Sequence, residues 1–141
     1  MRAMDWAESR RFLLHGTRTA KVATVGGEGR PHVVPVWFTL DQDDLVFSTA
    51  SRSVKARNLA RDPRVAIAVD DETAPFGFVS IIGRAELVER PEDFLVWTTR
   101  IATRYVGDAR GPELGRTFIE IDDLFVRVRM ESFVGQAEIV G

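Results

Sequence analysis

The densest run of potential chemistry in this chain is Ser48-Thr49-Ala50-Ser51-Arg52-Ser53-Val54-Lys55-Ala56-Arg57-Asn58-Leu59. It follows a strand-like Leu45-Val46-Phe47 and opens a short helix expected over Ser53 to Arg61, stopped by Asp62-Pro63. The first backbone N–H groups of a helix have no partner within it, and the macrodipole adds partial positive charge at that end. The hydroxyls of Ser48, Thr49 and Ser53, the Lys55 ammonium and the Arg57 guanidinium therefore converge where an anion is already favoured. Lys55 and Arg57, two residues apart, do not share a helix face. Ser53 and Lys55 reach an anion off the helix end, while Arg57 and Asn58 reach around its side. Such a set predicts a phosphate-bearing ligand. A solvated amphipathic helix with Val54 and Leu59 turned inward is the plainer reading of the same residues. Lys21 and Lys55 are the only lysines among 19 basic residues, so a compact ammonium stands at 55 where this chain otherwise uses arginine.

A second constellation is Arg30-Pro31-His32-Val33-Val34-Pro35-Val36-Trp37-Phe38. His32 can hydrogen-bond a ring or donate a proton near neutral pH, or it is an ordinary strand histidine. Pro35 lacks the N–H that a ladder needs, so it marks an edge, a bulge or a ligand contact. A flat heteroaromatic ring along this strand, met by main-chain groups of Val34 and Val36, explains the gap as well as a plain edge strand does. Phe76 and Phe78 point the same way and either wall a ring pocket or pack against a partner. Asp70-Asp71-Glu72 lacks the spaced ligands and glycine of a calcium loop and reads as a solvated turn, as does Asp122-Asp123. No G-x-S-x-G, P-loop or G-x-G-x-x-G occurs, so hydrolase, NTPase and Rossmann readings lack their minimal motifs.

The bulk numbers set bounds. At 141 residues with 45% apolar and 28% charged content, the chain reads as one domain, 1–141, with a single core. A net charge of −2 argues against a nucleic-acid partner. No apolar run approaches the ~20 residues that cross a bilayer. The N-terminus lacks a signal-peptide apolar core, and the absence of cysteine excludes disulfides and thiolate chemistry. The expected compartment is the cytoplasm.

Periodicity predicts a helix over 6–15, started by Asp5 with Glu8 at capping-box spacing. Strands follow at 20–25, 31–40 and 45–49 as a local meander, then one at 65–69 and a long one over 76–88 bent near Gly83. A further helix begins at Pro91 and runs to about Tyr105. Residues 108–121 give no clear signal, and strands are expected at 124–130 and 133–140. Strands in meander order with inserted helices predict a closed β-barrel with peripheral helices.

The order strand, Ser/Thr loop, Ser53-x-Lys55-x-Arg57-Asn58-Leu59, Asp62-Pro63-Arg64, strand resembles the flavin and deazaflavin oxidoreductases of the pyridoxamine-phosphate-oxidase-like split-barrel superfamily. The likeness runs from Thr19 to about Gly135 and includes residues 29–37 and Gly83-x-Ala85-Glu86-Leu87. It is similar to the branch that uses the deazaflavin coenzyme F420, with FMN users as close relatives. The resemblance implies a mainly β, six-stranded antiparallel split barrel forming a homodimer, with the cofactor between subunits. It implies phosphate binding by Ser53, Lys55, Arg57 and Asn58, a ring lying against Val34-Pro35-Val36, and Ser48, Thr49 and Ala50 along the ribityl-like chain. The implied activity is hydride transfer from the reduced deazaflavin to a small conjugated organic acceptor. An FMN enzyme of the same fold, or a non-catalytic carrier or haem-handling module, is the alternative. No acid–base residue is forced by this scheme; His32 and Tyr105 are the candidate proton donors. The end of the chain, residues 135–141, lacks the Arg/His-bearing tail that pyridoxamine phosphate oxidases use for substrate phosphate, which speaks against vitamin B6 oxidation.

Overall fold

A computed structural model covers residues 1–141. Strand β1 (Arg2–Met4) leads into helix α1 (Trp6–Leu14), where the Asp5 carboxylate accepts the Glu8 N–H at 2.8 Å. This is the N-cap that the Asp5/Glu8 spacing predicts. Strands β2 (Ala20–Val25) and β3 (Pro31–Val36) form an antiparallel hairpin through a tight turn at Gly27–Gly29, with Gly29 at φ +77°. Next come β4 (Thr39–Asp41), β5 (Asp44–Thr49), α2 (Val54–Arg61), β6 (Arg64–Asp71) and β7 (Gly77–Glu89). Helices α3 (Phe94–Val106) and α4 (Gly111–Ile121) precede the last strand, β8 (Leu124–Ala137).

All strand pairings are antiparallel, and the sheet runs β3-β2-β6-β7-β8-β5-β4, with β1 added to the far end of β8. The sheet is mainly β with peripheral helices, as expected, but it is open: its end strands β3 and β4 do not pair. The expectation of a closed barrel is corrected by that gap. The strand count also changes from six to eight. The predicted strand over 31–40 breaks at Trp37-Phe38, because Phe38 turns into the core with no exposed surface and carries the chain across to β4. The predicted meander is therefore interrupted rather than continuous: its local pairings form between β2 and β3 and between β4 and β5, but β3 and β5 do not pair. The two strands expected after residue 124 are one continuous strand, held along β7, whose bulge between Ile82 and Gly83 supplies the predicted bend. Pro91 lies ahead of the third helix rather than in its first turn, and the silent segment 108–121 holds α4.

The core lies on the inner face of the sheet. Val22, Ile67, Val79 and Val126 alternate inward from successive strands, and Leu13, Phe38 and Phe47 cover them, all at most 2% exposed. Burying each such side chain contributes roughly 1.5–3 kcal/mol. No helix is long and apolar enough to cross a membrane.

Helices α3 and α4 form a pair that packs across the gap side of the sheet. They approach closely because Gly111 and Gly115 lie over Thr103 and Thr99, one turn apart on facing surfaces. Thr98 Oγ1 donates to Gly115 O at 2.9 Å and locks the crossing. A Cβ at Gly115 would sit 2.7 Å from Thr99 Cα, which belongs to backbone that cannot move aside. Gly115→Val is therefore expected to destabilise the protein by about 1–3 kcal/mol. Urea unfolding followed by far-UV circular dichroism measures this, and an unchanged midpoint would contradict the packing described.

Candidate functional site

Where the sheet fails to close, a hollow of about 240 Å³ remains between its two ends. Val36 at the end of β3 forms one wall and Ser48 and Thr49 at the end of β5 form the other. Lys55 enters from the first turn of α2, while Ile101 of α3 and Phe118 and Asp122 of α4 and its end close the back. Trp37 completes the lining. Its ring stacks on Tyr105 at 4.6 Å between centroids and takes the edge of Phe118 at 5.8 Å, so it is held flat and rigid.

Helix α2 begins one residue later than expected, and Ser53, expected to reach an anion from inside it, caps it instead. Ser53 is the N-cap of α2: its Oγ accepts the Ala56 N–H at 3.1 Å and shares a 2.9 Å hydrogen bond with Thr49 Oγ1. The first backbone bond of the helix runs from Arg57 N–H to Ser53 O. The N–H groups of Val54 and Lys55 thus lie ahead of the intrahelical ladder, at its positive end.

The charges in the hollow are poorly solvated. Burial pulls the Lys55 ammonium below its ordinary value, against the opposing attraction of Asp122. Burial pushes the Asp122 carboxyl above its ordinary 3.8, although Ser48 Oγ donates to it at 2.7 Å and Lys55 attracts it. Lys55 is the only cationic side chain lining this hollow. A group of opposite charge arriving there would restore to Lys55 the solvation that burial removed.

The other predicted residues fall into distinct places. His32, Val34 and Val36 lie on the inward face of β3, beside Thr24, Val22 and Ala20 of β2. The buried Nδ1 of His32 has no hydrogen-bond partner, an orphan that a ligand atom would satisfy. Gly26 N–H donates to Arg30 O at 2.7 Å, and the alternation of an antiparallel ladder then turns the main-chain groups of His32, Val34 and Val36 toward β2. Those of Val33 and Pro35 face the free edge. Pro35 therefore costs no ladder bond, and the edge-strand reading explains it.

Asn58 does not face the hollow. It is 4% exposed, and its amide donates to Thr24 Oγ1 at 3.0 Å while its carbonyl accepts from Arg61 at 2.9 Å. Arg57 is exposed on the outside of α2, and Ala50 lines a neighbouring surface notch with Arg52 and Arg90. Phe76 and Phe78 lie at the other end of the sheet, Phe76 beside α1 in a separate hollow and Phe78 opposite Gln136. Within one chain, they do not join Lys55.

Tyr105 is not free to give up a proton. Its hydroxyl donates to Arg18 O at 2.8 Å and accepts the Phe38 N–H at 3.2 Å, and burial raises its pKa. Its place behind Trp37 makes it a support. A larger hollow of about 520 Å³ elsewhere is walled by partnered charges, Arg18–Asp71 at 2.9 Å and Lys21–Asp70 at 2.6 Å.

Trp37, Ile101, Phe118 and Asp122 are the lining residues that sequence reasoning missed. Asp122 reads locally as a turn, and only the long-range pairing of Ser48 with Phe125 brings it beside Ser48.

An open antiparallel sheet with a hydroxyl, ammonium and helix-end cradle at its gap has the split-barrel architecture of its structural neighbours. The chain belongs to the pyridoxamine 5'-phosphate oxidase family, whose model matches residues 6–140. It is 44% identical over 72 residues to the 5a,11a-dehydrotetracycline/5a,11a-dehydrooxytetracycline reductase of Streptomyces rimosus, a match covering 48% of this chain and 51% of that protein. The chain thus spans about half the length of that curated relative. Among solved structures, the conserved hypothetical protein Rv2991 of Mycobacterium tuberculosis superposes with a TM-score of 0.82 at 30% identity, over 96% of this chain and 86% of that one. A structure described as an F420 reductase gives a TM-score of 0.68 at 26% identity, over 87% and 94% of the two chains.

Because Lys55 favours the ionised carboxylate, its removal has a defined sign. Asp122 is expected to titrate above 3.8, and Lys55→Met is expected to raise its midpoint further. Carboxyl ¹³C NMR against pH reads both shifts; a lower midpoint in the variant would contradict the proximity of the two groups.

Proposed function

We propose that this protein is an F420-dependent reductase that transfers hydride from the reduced deazaflavin to a small organic acceptor, working as a cytoplasmic homodimer. The observation that carries this reading is the hollow at the sheet gap, where Lys55, Ser48, Thr49 and the amino end of α2 converge. The names of the two reductases above lend support. The residues fit a phosphate-bearing tricyclic cofactor: the hollow supplies a cation and hydroxyls, and the unpaired His32 Nδ1 lies along the adjoining strand.

In this reading Lys55, the helix-end N–H groups and Ser48 hold the phosphate. Thr49 and Ala50 follow the polyol chain, and the ring rests along Val34, Pro35 and Val36. Ser53 shapes the helix end, and Arg57 contributes its charge from outside. When bound, the deazaflavin supplies the hydride chemistry. The chain orients the ring through the β3 edge, walls off water with Trp37 and Phe118, and places the unpartnered His32 imidazole on that strand.

A dimer gives Phe76 and Phe78 a role that one chain does not. The outer face of the sheet carries Val33, Ala23, Ala66 and Ile82 in one cross-strand row, and Pro35, Ala68 and Val134 alternating with Lys21 and Ser80 in the next. Val33, Ile82 and Val134 are 62%, 50% and 53% exposed, an apolar face that a second copy would cover, bringing its own Phe76 end toward this gap.

Titration with F420 and with FMN, followed by fluorescence, tests the cofactor. F420 binding that weakens by roughly tenfold to a hundredfold in Lys55→Ala is expected, matching a charged hydrogen bond of ~1.5–3 kcal/mol. FMN retention without any response to F420 would overturn the first choice. For the assembly, Ile82→Glu is expected to shift sedimentation from dimer to monomer and to lower cofactor affinity. A wild-type monomer would refute it.

A further inference from the structure

We propose that Asp122 selects the cofactor by the charge of its phosphate, admitting a singly charged phosphodiester and disfavouring a doubly charged phosphomonoester. This rests on the placement of the phosphate proposed above. Asp122 lines the same hollow as Lys55 and accepts the Ser48 hydroxyl at 2.7 Å, so a carboxylate already draws on the cation and the hydroxyl that a phosphate would use. Its neighbour Asp123 is turned away to cap the loop, accepting the Ser51 N–H at 2.7 Å, and lines a different notch. Lys55 is the only cationic side chain facing Asp122 across the hollow. One lysine and a helix end thus face one resident carboxylate before any ligand arrives.

The two cofactor classes differ at this atom group. A phosphomonoester such as that of FMN carries about −1.5 to −2 at pH 7. A phosphodiester such as that of F420 has one ionisable oxygen and carries a single charge. Against a fixed carboxylate in a half-buried hollow, the extra charge is repelled through a medium less screening than water. Burial of Asp122, which already disfavours its charge, makes each further negative charge there more costly.

The test is the ratio of FMN to F420 dissociation constants, measured by fluorescence and by calorimetry at one pH and salt concentration. Comparing each variant's ratio with that of wild type cancels the contribution of the different rings. Asp122→Asn keeps an oxygen to accept the Ser48 hydroxyl, and Asp122→Ser removes the charge with a smaller side chain. Both are expected to lower the ratio by roughly tenfold, chiefly by tightening FMN. Lys55→Ala is run alongside. If Lys55→Ala weakens both cofactors while neither Asp122 variant moves the ratio beyond about twofold, charge selection is wrong and the site stands. If Lys55→Ala leaves both affinities unchanged, the phosphate lies elsewhere and both readings fall.

Discussion

The buried amide of Asn58 is the contact on which the geometry of the gap turns. A helix of eight residues has little stability of its own, so α2 must be held by what it packs against. Ala56 and Leu59 supply the apolar face, but apolar contact alone does not fix a rotation about the helix axis. The bond from Asn58 to Thr24 does, because leaving either group unpaired inside the protein would cost about 1–3 kcal/mol. With that rotation set, the amino end of α2 aims at the space between β3 and β5, and Lys55 follows.

The other side of the gap depends on a different clasp. Arg104 of α3 donates to Leu13 O at 2.7 Å, Phe38 O at 2.9 Å and Gly16 O at 3.0 Å, joining the end of α1 to the chain where it leaves the β3 side. Its guanidinium lies over the Phe38 ring at 4.5 Å, which anchors the residue that breaks the expected long strand. Trp37 is thereby presented to the hollow while Phe38 is buried. Adjacent residues serve opposite purposes because β3 ends at Val36, before both of them, and frees the chain to turn.

Much of this was legible from residue order. Local signals act over a few residues, so the Asp5 cap, the extent of α2 to within a residue and the bend near Gly83 could be read directly. The hydroxyl and lysine cluster was also readable, since its members are close in sequence. What escaped was set by contacts between distant residues. Whether the sheet closes is decided by how Phe38 packs, and α4 owes its place to Gly111 and Gly115 fitting over threonines of α3. Asn58 reads in sequence as one of a polar cluster; only its partner on β2, far away in the chain, shows that it is a strut. Asp122 was hidden for the same reason.

A sheet that does not close leaves a bare rim, and a bare rim invites other chains to add to it. Here the exposed strand β3 turns Pro31 and Pro35 outward, at the positions where an incoming strand would look for hydrogen donors. Neither can offer one. The prolines let the sheet stay open while denying fibrous growth a foothold along that edge.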